Sequence, residues 1–304
     1  METNMPLAIS TDYAGDFPEI EKIEHSLQKI AEHGFSHVHW CFDWDGDYIY
    51  AKSEIEQIGV WLEKYHLKCK GIHASKGSAR FANQTIWHYK KDYTSSIESS
   101  RLAGTDLIRN RVDLARRLNC HELVLHMYLP FLDFSDAGAK KRFYENSLRS
   151  LDELEPYCRD NQVKICIENL FEAPADLQLE QFDILTNRYS PDYLGLCIDT
   201  GHANLVWGEK FTEALVQRYS DRIFAVHIHD NLGPGRGKGY GDAHAVPGDG
   251  VIHWEKFMEA LRHSVYEPPL VLELNKPAEE DEDDFLCRAY NAGIRLTKMG
   301  YGDH

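Results

Sequence analysis

The stretch Leu194–Leu205, LGLCIDTGHANL, begins like a β-strand and then changes character. Its first residues form an apolar run of the kind that a strand buried in a parallel sheet shows. Asp199 follows this run directly, and His202 comes three residues later. Because a buried charge is costly unless it is paired or bound to a metal, the end of this strand predicts a functional site.

The alternation of strand and helix seen around this stretch repeats along the chain. Segments with helical spacing separate the apolar runs, and one of them, 19–34, ends on Gly34 as a helix with a glycine C-cap does. Eight such units predict an α/β fold with a parallel sheet, and they favour a closed (β/α)₈ TIM barrel over an open doubly wound sheet. No Pro/Ser-rich linker divides the chain, so we expect a single domain over 1–304. The apolar runs are 6–10, 36–42, 67–75, 122–128, 163–170, 193–202, 222–231 and 269–275.

The composition limits the classes of function. Hydrophobic residues make up 43% of the 304 residues, which is enough for a sizeable core. The net charge of −16 argues against nucleic acid and anionic membranes as partners, because both bind clustered Lys and Arg. No apolar stretch approaches the roughly 20 residues of a membrane span, and no secretory signal is visible. Seven cysteines without a C-x-x-C pair suit free thiols, so we expect a cytoplasmic protein.

Six successive predicted strands end on His, Asp or Glu. In a parallel barrel these ends meet at one mouth, where three carboxylates cannot all stay ionised without a cation. Imidazole with carboxylate is the ligand mixture of a divalent transition metal, and Mn²⁺, Zn²⁺, Co²⁺ and Fe²⁺ all fit. Asp199 is therefore predicted to bind a metal, and His202 to reach a substrate or a second ion. The strand ends are His73, His126, Glu168, Asp199, His227 and Glu273, and Asp242 and His244 follow in the loop after the seventh strand.

This ordered set resembles the xylose isomerase-like TIM barrels. That superfamily joins sugar and sugar-phosphate isomerases and epimerases with apurinic endonucleases of the endonuclease IV type. The matching fragments are IENL, DTGH, HIHD, DAH followed by PGDG, and LELN. In the isomerase branch the resemblance implies that one metal is bound by four ligands, Glu168, Asp199, His227 and Glu273. It also implies that His202 contacts substrate oxygens. In the endonuclease branch it implies three zinc ions and the additional ligands His73, His126, His202, Asp242 and His244.

Three functions are open on this basis. The first is a metal-dependent isomerase or epimerase of a sugar or sugar phosphate, in which Glu168 and Glu273 remove and return a proton through an enediolate. The second is a multinuclear hydrolase of the endonuclease type, or a lyase that acts on an oxidised sugar or glycoside. The third is a non-catalytic sugar- or metal-binding protein, which the complete acid set disfavours. The acidic net charge favours the first function, although nine ligands exceed what one metal requires.

Other residues are predicted to contact a carbohydrate substrate, or else to pack. His73 and His126 would face the substrate if a single metal is bound. Ketose epimerases of the resembled family carry an Arg shortly after the strand-seven His, whereas this chain has DNLGPG there. The nearest Arg, Arg236, is predicted to contact the substrate, and Lys238 is the other basic residue nearby. Aromatic and polar residues near the second strand and in the long loop 76–100 complete the predicted pocket: Trp40, His39, Asp43, Trp87 and Tyr89.

The residues that follow His227 are interpreted as its support. We expect His229 to stand one step away from the ligands, and Asp230 and Asn231 to orient the ring of His227 by hydrogen bonds, as metal-bound imidazoles require. The acidic run at 278–284 is interpreted as the solvated start of a helix. Barrels of this kind often pair through their loops, so a homo-oligomer is also open.

Overall fold

The computed structural model is a barrel of eight strands. It describes residues 5–15, 20–42, 44, 46–75, 90–127, 137–236 and 241–302. The strands β1 to β8 are Leu7–Ser10, His37–Trp40, Lys68–His73, Glu122–Leu125, Lys164–Glu168, Leu194–Asp199, Ile223–His227 and Leu270–Leu272. They form one parallel sheet in the order β7-β6-β5-β4-β3-β2-β1-β8. A parallel bridge between Ile228 and Leu272 joins the outer strands, so the sheet closes into the predicted (β/α)₈ TIM barrel.

Helices follow the strands as the alternation predicts. The helices α1 to α8 are Ile20–Glu32, Lys52–Lys64, Glu98–Arg117, Ala137–Asp160, Ala175–Arg188, Thr200–Trp207, Trp254–Arg262 and Glu282–Tyr301. A 3₁₀ helix, Gly208–Lys210, and a π-helical turn, Thr212–Gln217, lie between α6 and β7. None of the helices in the described part of the chain is long and apolar enough to cross a membrane.

Local signals explain several helix ends. After α1, Gly34 adopts a φ of +89°, which suits glycine, and so acts as the predicted C-cap. The acidic run is a helix start, as expected, because Asp281 caps α8 by accepting the backbone N–H groups of Asp283 and Asp284. The predicted loop 76–100 is shorter than expected, since α3 begins at Glu98. Its residues 76–89 lie outside the described residues.

The strands position the site through their two-residue alternation. Side chains that face the helices, such as Leu123, Ile165 and Ile198, are fully buried in one continuous core. Inside the barrel lies a separate small apolar cluster, formed by Val124, Cys166, Cys197 and Ala225. One layer above this cluster, at the carboxyl end, are the residues two positions further along the same strands, His126, Glu168, Asp199 and His227.

A β-bulge changes the alternation between β2 and β3. Val38 lies opposite Cys69 and His39 opposite Gly71, so Lys70 is an extra residue on β3. A bulge re-aims the side chains beside it. Lys70 reaches the carboxylate of Glu122 at the amino end of the barrel, below the apolar cluster. The barrel interior therefore carries ionisable groups at both of its ends.

Candidate metal centre

The nine residues predicted as metal ligands lie together at the carboxyl end of the barrel. With His229 they form three adjoining groups, and two further groups overlap these: His73 with His227 and Glu273, and Glu168 with Cys197 and His227. In each group the ligand atoms lie within 4.8 Å of one another. The central group is Glu168, Asp199, His227 and Glu273. The His73 group is His73, His126 and Glu168, and the His244 group is His202, His229, Asp242 and His244.

The central group is arranged around one imidazole nitrogen. Nδ1 of His227 lies 3.3 Å from Oε1 of Glu168, 3.2 Å from Oε2 of Glu273 and 3.9 Å from Oδ2 of Asp199. The side chains of His227 and Asp199 are fully buried, and that of Glu168 is nearly so. Three carboxylates, from β5, from β6 and from the residue after β8, thus meet beside a single imidazole.

The His73 group shares Glu168 with the central group. Nε2 of His126 lies 3.0 Å from Oε2 of Glu168, and Nε2 of His73 lies 3.5 Å from the same oxygen. The two imidazole nitrogens are themselves 3.2 Å apart. Glu168 therefore faces the central group with Oε1 and the His73 group with Oε2.

The His244 group lies on the other side of the central group. Oδ2 of Asp242 is 3.2 Å from Nε2 of His244 and 3.5 Å from Nε2 of His202. The ring of His229 stacks on that of His244 with centroids 3.9 Å apart, and its Nε2 lies 2.9 Å from Oδ1 of Asp199. His229, predicted to stand back as support, thus belongs to a group of four ligand-type residues.

The motif DTGH folds this way for local reasons. Asp199 ends β6 and caps α6, because its side chain accepts the backbone N–H of His202 at 2.7 Å. A Cβ atom at Gly201 would lie 1.9 Å from the ring of His229, so only glycine leaves room for that ring beside Asp199. The amide of Asn169 bonds the backbone N–H and carbonyl of Asp199, both at 2.9 Å, and so ties β5 to β6.

The electrostatics of the site are dominated by its carboxylates. Burial disfavours the charged form of Glu168, but His227 and His126 outweigh burial and hold its pKa well below the usual value. The pKa of Glu273 is lowered in the same way, chiefly by His227. Burial would lower the pKa of His244, yet Asp242 raises it to about 10. The carboxylates therefore draw positive charge into a buried space.

The donor set fits a divalent cation. Three buried polar atoms of the centre lack a hydrogen-bond partner among the described residues: Nδ1 of His227, Nδ1 of His229 and Oδ1 of Asp242. Buried polar atoms normally have hydrogen-bond partners, so unpartnered atoms in a cluster of ligand-type residues suit the binding of a cation. Imidazole nitrogen with carboxylate oxygen suits Zn²⁺, Mn²⁺, Co²⁺ or Fe²⁺. The positive charge of a cation would replace the protons that the carboxylates hold on the imidazoles.

A cavity of about 170 Å³ opens beside the three groups. Its walls include Trp44, whose ring centroid lies 4.7 Å from that of His73, and Phe171, at 5.2 Å from that of His202. Neither aromatic residue was predicted from the sequence, since both follow the strands in loops. Among the described residues that line the cavity there is no Lys or Arg.

Other predicted pocket residues lie elsewhere. Trp40 faces the helices, where its indole N–H donates to the hydroxyl of Tyr50 at 3.0 Å, so Trp44 and not Trp40 forms the aromatic wall. Arg236 is exposed and does not line the cavity. His39 lies below the centre, next to His227. Asp43, Trp87, Tyr89 and Lys238 lie outside the described residues.

The expected support of His227 by Asp230 and Asn231 is wrong. Asp230 accepts the N–H groups of Gly248 and Ile252 and the indole N–H of Trp254, so it anchors the loop that leads into α7. Asn231 donates to the carbonyl of Gly201 at 2.9 Å. These hydrogen bonds fix the loop after β7 and do not involve the ring of His227.

Comparisons with known proteins agree with this fold. The sequence profile described as "Xylose isomerase-like TIM barrel" matches residues 27–287. The chain is 32% identical over 293 residues to the uncharacterized protein y4fM of Sinorhizobium fredii, covering 92% of this chain and 90% of that protein. It is 27% identical to inosose dehydratase of Lacticaseibacillus casei over 121 residues, 36% of this chain and 40% of that protein. The crystal structure of D-psicose 3-epimerase in the presence of D-fructose superimposes with a TM-score of 0.72 and 17% identity, covering 98% and 100% of the chains.

Proposed function

The chain belongs to the xylose isomerase-like TIM barrel family, and on this premise we propose that it is a divalent-metal-dependent isomerase or epimerase of a sugar or sugar phosphate. Glu168 and Glu273 move the proton. The fold likeness to D-psicose 3-epimerase and the partial sequence likeness to inosose dehydratase both support a small polyhydroxylated substrate.

The observation that carries this proposal is the position of the two glutamates. They come from β5 and from the end of β8, and their carboxylates lie 3.3 and 3.2 Å from the same nitrogen of His227. Two carboxylates that meet beside one point can remove a proton from a bound carbon atom and return it. A divalent cation held by the central group would supply the positive charge that stabilises the enediolate oxygens.

The two glutamates are not equivalent. Oε2 of Glu168 is held by His126 at 3.0 Å, and its side chain is only 1% exposed. Both glutamates line the cavity, but the side chain of Glu273 is 13% exposed. Glu273 is therefore the freer of the two to exchange its proton with solvent, and Glu168 is held in a fixed orientation by imidazoles.

The rest of the cavity suits a carbohydrate. Trp44 and Phe171 offer aromatic faces, on which the C–H surfaces of a sugar can stack, and His202 brings an imidazole to the same space. In the proposed reaction His202 contacts substrate oxygens. The small volume beside the groups favours a monosaccharide-sized substrate over a drug-sized one, for which pockets of about 300–1,000 Å³ are usual.

One observation favours a second function. The His73 group and the His244 group add two sets of ligand-type residues that a one-metal epimerase does not require. If all three groups bind ions, the centre suits the hydrolysis of a phosphoester, in which several ions act on one phosphate. This second function and the first differ in the number of ions bound per chain.

The test combines metal content with solvent exchange. Protein purified without chelator or histidine tag is analysed for metals by plasma mass spectrometry and then incubated in D₂O with free and phosphorylated ketoses and aldoses. We expect about one divalent ion per chain and loss of the proton NMR signal next to the sugar carbonyl. Two or three ions per chain, with hydrolysis of bis(4-nitrophenyl) phosphate and no exchange into any sugar, would overturn the proposal in favour of the hydrolase.

A further inference from the structure

The two nitrogens of His227 face different surroundings. Nδ1 points at the carboxylates of the central group and has no hydrogen-bond partner among the described residues. Nε2 lies on the opposite side of the ring, 3.1 Å from Nε2 of His39. No carboxylate or backbone carbonyl is found at Nε2 in the described structure, although one of these usually accepts the second N–H of a metal-binding histidine.

The chemistry of the ligand fixes the direction of this hydrogen bond. A histidine binds a cation through an unprotonated nitrogen, so Nδ1 of His227 must carry a lone pair and Nε2 must carry the proton. The Nε2–H of His227 then donates to His39, whose own Nε2 must accept. His39 is consequently neutral, with its proton on Nδ1, which lies against Gly71 and has no hydrogen-bond partner among the described residues.

The fold aims His39 at this position. His39 follows directly on the β2–β3 bulge and lies opposite Gly71. A Cβ atom at Gly71 would lie 2.6 Å from Nδ1 of His39, so the ring occupies space that any other residue would take. The rings of His39 and His227 meet edge to face, with centroids 4.7 Å apart. His39 is also 1% exposed, which keeps water from competing for the bond.

We propose that His39 is a positioning residue that selects the tautomer of His227 which binds the metal. It acts through His227 and does not touch the substrate. The inference rests on the metal centre of the proposed function, but it concerns cation affinity and not turnover. Loss of an outer partner of this kind weakens metal affinity or activity by about 10- to 100-fold in other proteins.

The test replaces His39 in two ways and measures Co²⁺ binding to metal-free protein. His39→Leu fills the space without an acceptor, and His39→Gln keeps an acceptor oxygen. His37→Gln is the matched control, because His37 lies two residues earlier on the same strand and its Nδ1 is bonded to Ser36. Co²⁺ affinity is measured by competition with a chromophoric chelator, the ligand field by the visible spectrum of Co²⁺, and folding by the melting of the metal-free forms.

We expect His39→Leu to weaken Co²⁺ affinity by about 10- to 100-fold and to alter the visible spectrum. His39→Gln and His37→Gln should stay within about threefold of the parent affinity. Equal losses in His39→Leu and His39→Gln would overturn the role as acceptor and leave only packing. Parent-like affinity in His39→Leu would overturn the positioning role itself. A parent protein that binds no Co²⁺, Zn²⁺ or Mn²⁺ would overturn the metal centre and this inference together, whereas missing sugar turnover with intact Co²⁺ effects would contradict the proposed reaction alone.

Discussion

The two ends of the barrel interior bury charge in opposite ways. At the amino end, Lys70 donates to the carboxylate of Glu122, and the backbone carbonyl of Glu267 accepts from the same ammonium group at 3.1 Å. At the carboxyl end, the ion-pair partners of the carboxylates are imidazoles, and no Lys or Arg pairs with them among the described residues. The amino end contains its own cation, and the carboxyl end must take up positive charge from outside.

The pKa values follow this difference. Burial raises the pKa of Glu122 to about 7, although Lys70 opposes the shift. Glu168 is more deeply buried, yet the surrounding imidazoles hold its pKa well below the usual range. The pKa of Glu122, beside Lys70, is thus close to 7, whereas Glu168 and Glu273 have lowered pKa values and stay charged. In this barrel the functional cluster differs from the structural ion pair because its carboxylates carry negative charge that no Lys or Arg balances among the described residues.

The largest expected effect is that of removing a carboxylate from the carboxyl end, and the same change at the amino end is its control. Glu273→Gln should leave the fold intact but lower solvent-deuterium exchange into the sugar substrate by about 10²- to 10⁴-fold, because the amide cannot accept the proton. It should also weaken metal binding. Both are measured by NMR in D₂O and by metal content per chain.

Glu122→Gln is the matched control for this substitution at the other end of the barrel. Its turnover should stay within about twofold of the parent, since Glu122 is separated from the centre by the apolar cluster of Val124, Cys166, Cys197 and Ala225. Full exchange activity in Glu273→Gln would exclude Glu273 as the acid and base.

The next effect is on stability and concerns the amino end. Lys70→Met leaves Glu122 buried without its cation, and breaking a buried pair in this way costs about 3–5 kcal/mol at a pH where the carboxylate is charged. The folded pKa of Glu122 is raised, so the stability due to its protonated form is fully present below the unfolded value near 4.5 and is lost as the pH rises through about 7. We therefore expect the loss of unfolding free energy to be larger at pH 8 than at pH 5.

Urea unfolding at both pH values measures this loss, and Lys70→Met with Glu122→Gln in one chain is the control. The double variant should recover most of the stability, because the unpaired carboxyl group is gone. A loss that is equal at pH 5 and pH 8, or one that the second substitution does not recover, would mean that Lys70 acts through packing and not through its charge.

The same comparison separates what the sequence predicts from what it cannot. The barrel follows from eight apolar runs, and the convergence of Glu168, Asp199 and His227 follows from their place at the ends of parallel strands. Both depend only on the direction and the order of the strands.

The missed features depend on register and on loops. In HVHW the sequence does not tell which residue faces inward, and the structure turns His39 inward and Trp40 toward the helices. The bulge at Lys70, which gives β3 an extra residue, is not visible as a motif. Trp44 and Phe171 reach the cavity from loops, where the two-residue alternation of strands gives no guide.

Metal removal should lower the melting temperature of the protein, because it removes a cation from the carboxyl end of the barrel. A cation that binds only the folded state stabilises it by about 2.7 kcal/mol at a concentration 100 times its Kd. For domains of 150–250 residues, a loss of 1 kcal/mol in unfolding free energy lowers the melting temperature by about 2–4 °C, so chelation should lower it by about 5–10 °C. Thermal melts with EDTA and with Mn²⁺, Co²⁺ or Zn²⁺ measure this shift.

The variants sharpen that measurement. Glu122→Gln should show the same shift as the parent, and Glu273→Gln a smaller one, since only the latter loses a ligand. If none of the ions raises the melting temperature of the parent, protons on the imidazoles satisfy the carboxylates by themselves, and the contrast between the two ends of the barrel disappears.

The smallest expected effect is that of His73→Ala, which tests whether the carboxyl end binds one ion or several. His73 is not part of the central group, although it also forms a group with His227 and Glu273. Its Nε2 is 3.5 Å from Oε2 of Glu168, which His126 also contacts. If one ion occupies the central group, the loss of His73 leaves its ligands in place, so exchange into the sugar should fall by no more than about threefold and metal content should stay near one ion per chain. If the groups bind separate ions, the same substitution removes a ligand, and both metal content and activity should fall. Plasma mass spectrometry and deuterium exchange on parent and variant distinguish these results, and a loss of one ion together with all activity would move the protein from the epimerases to the multinuclear hydrolases.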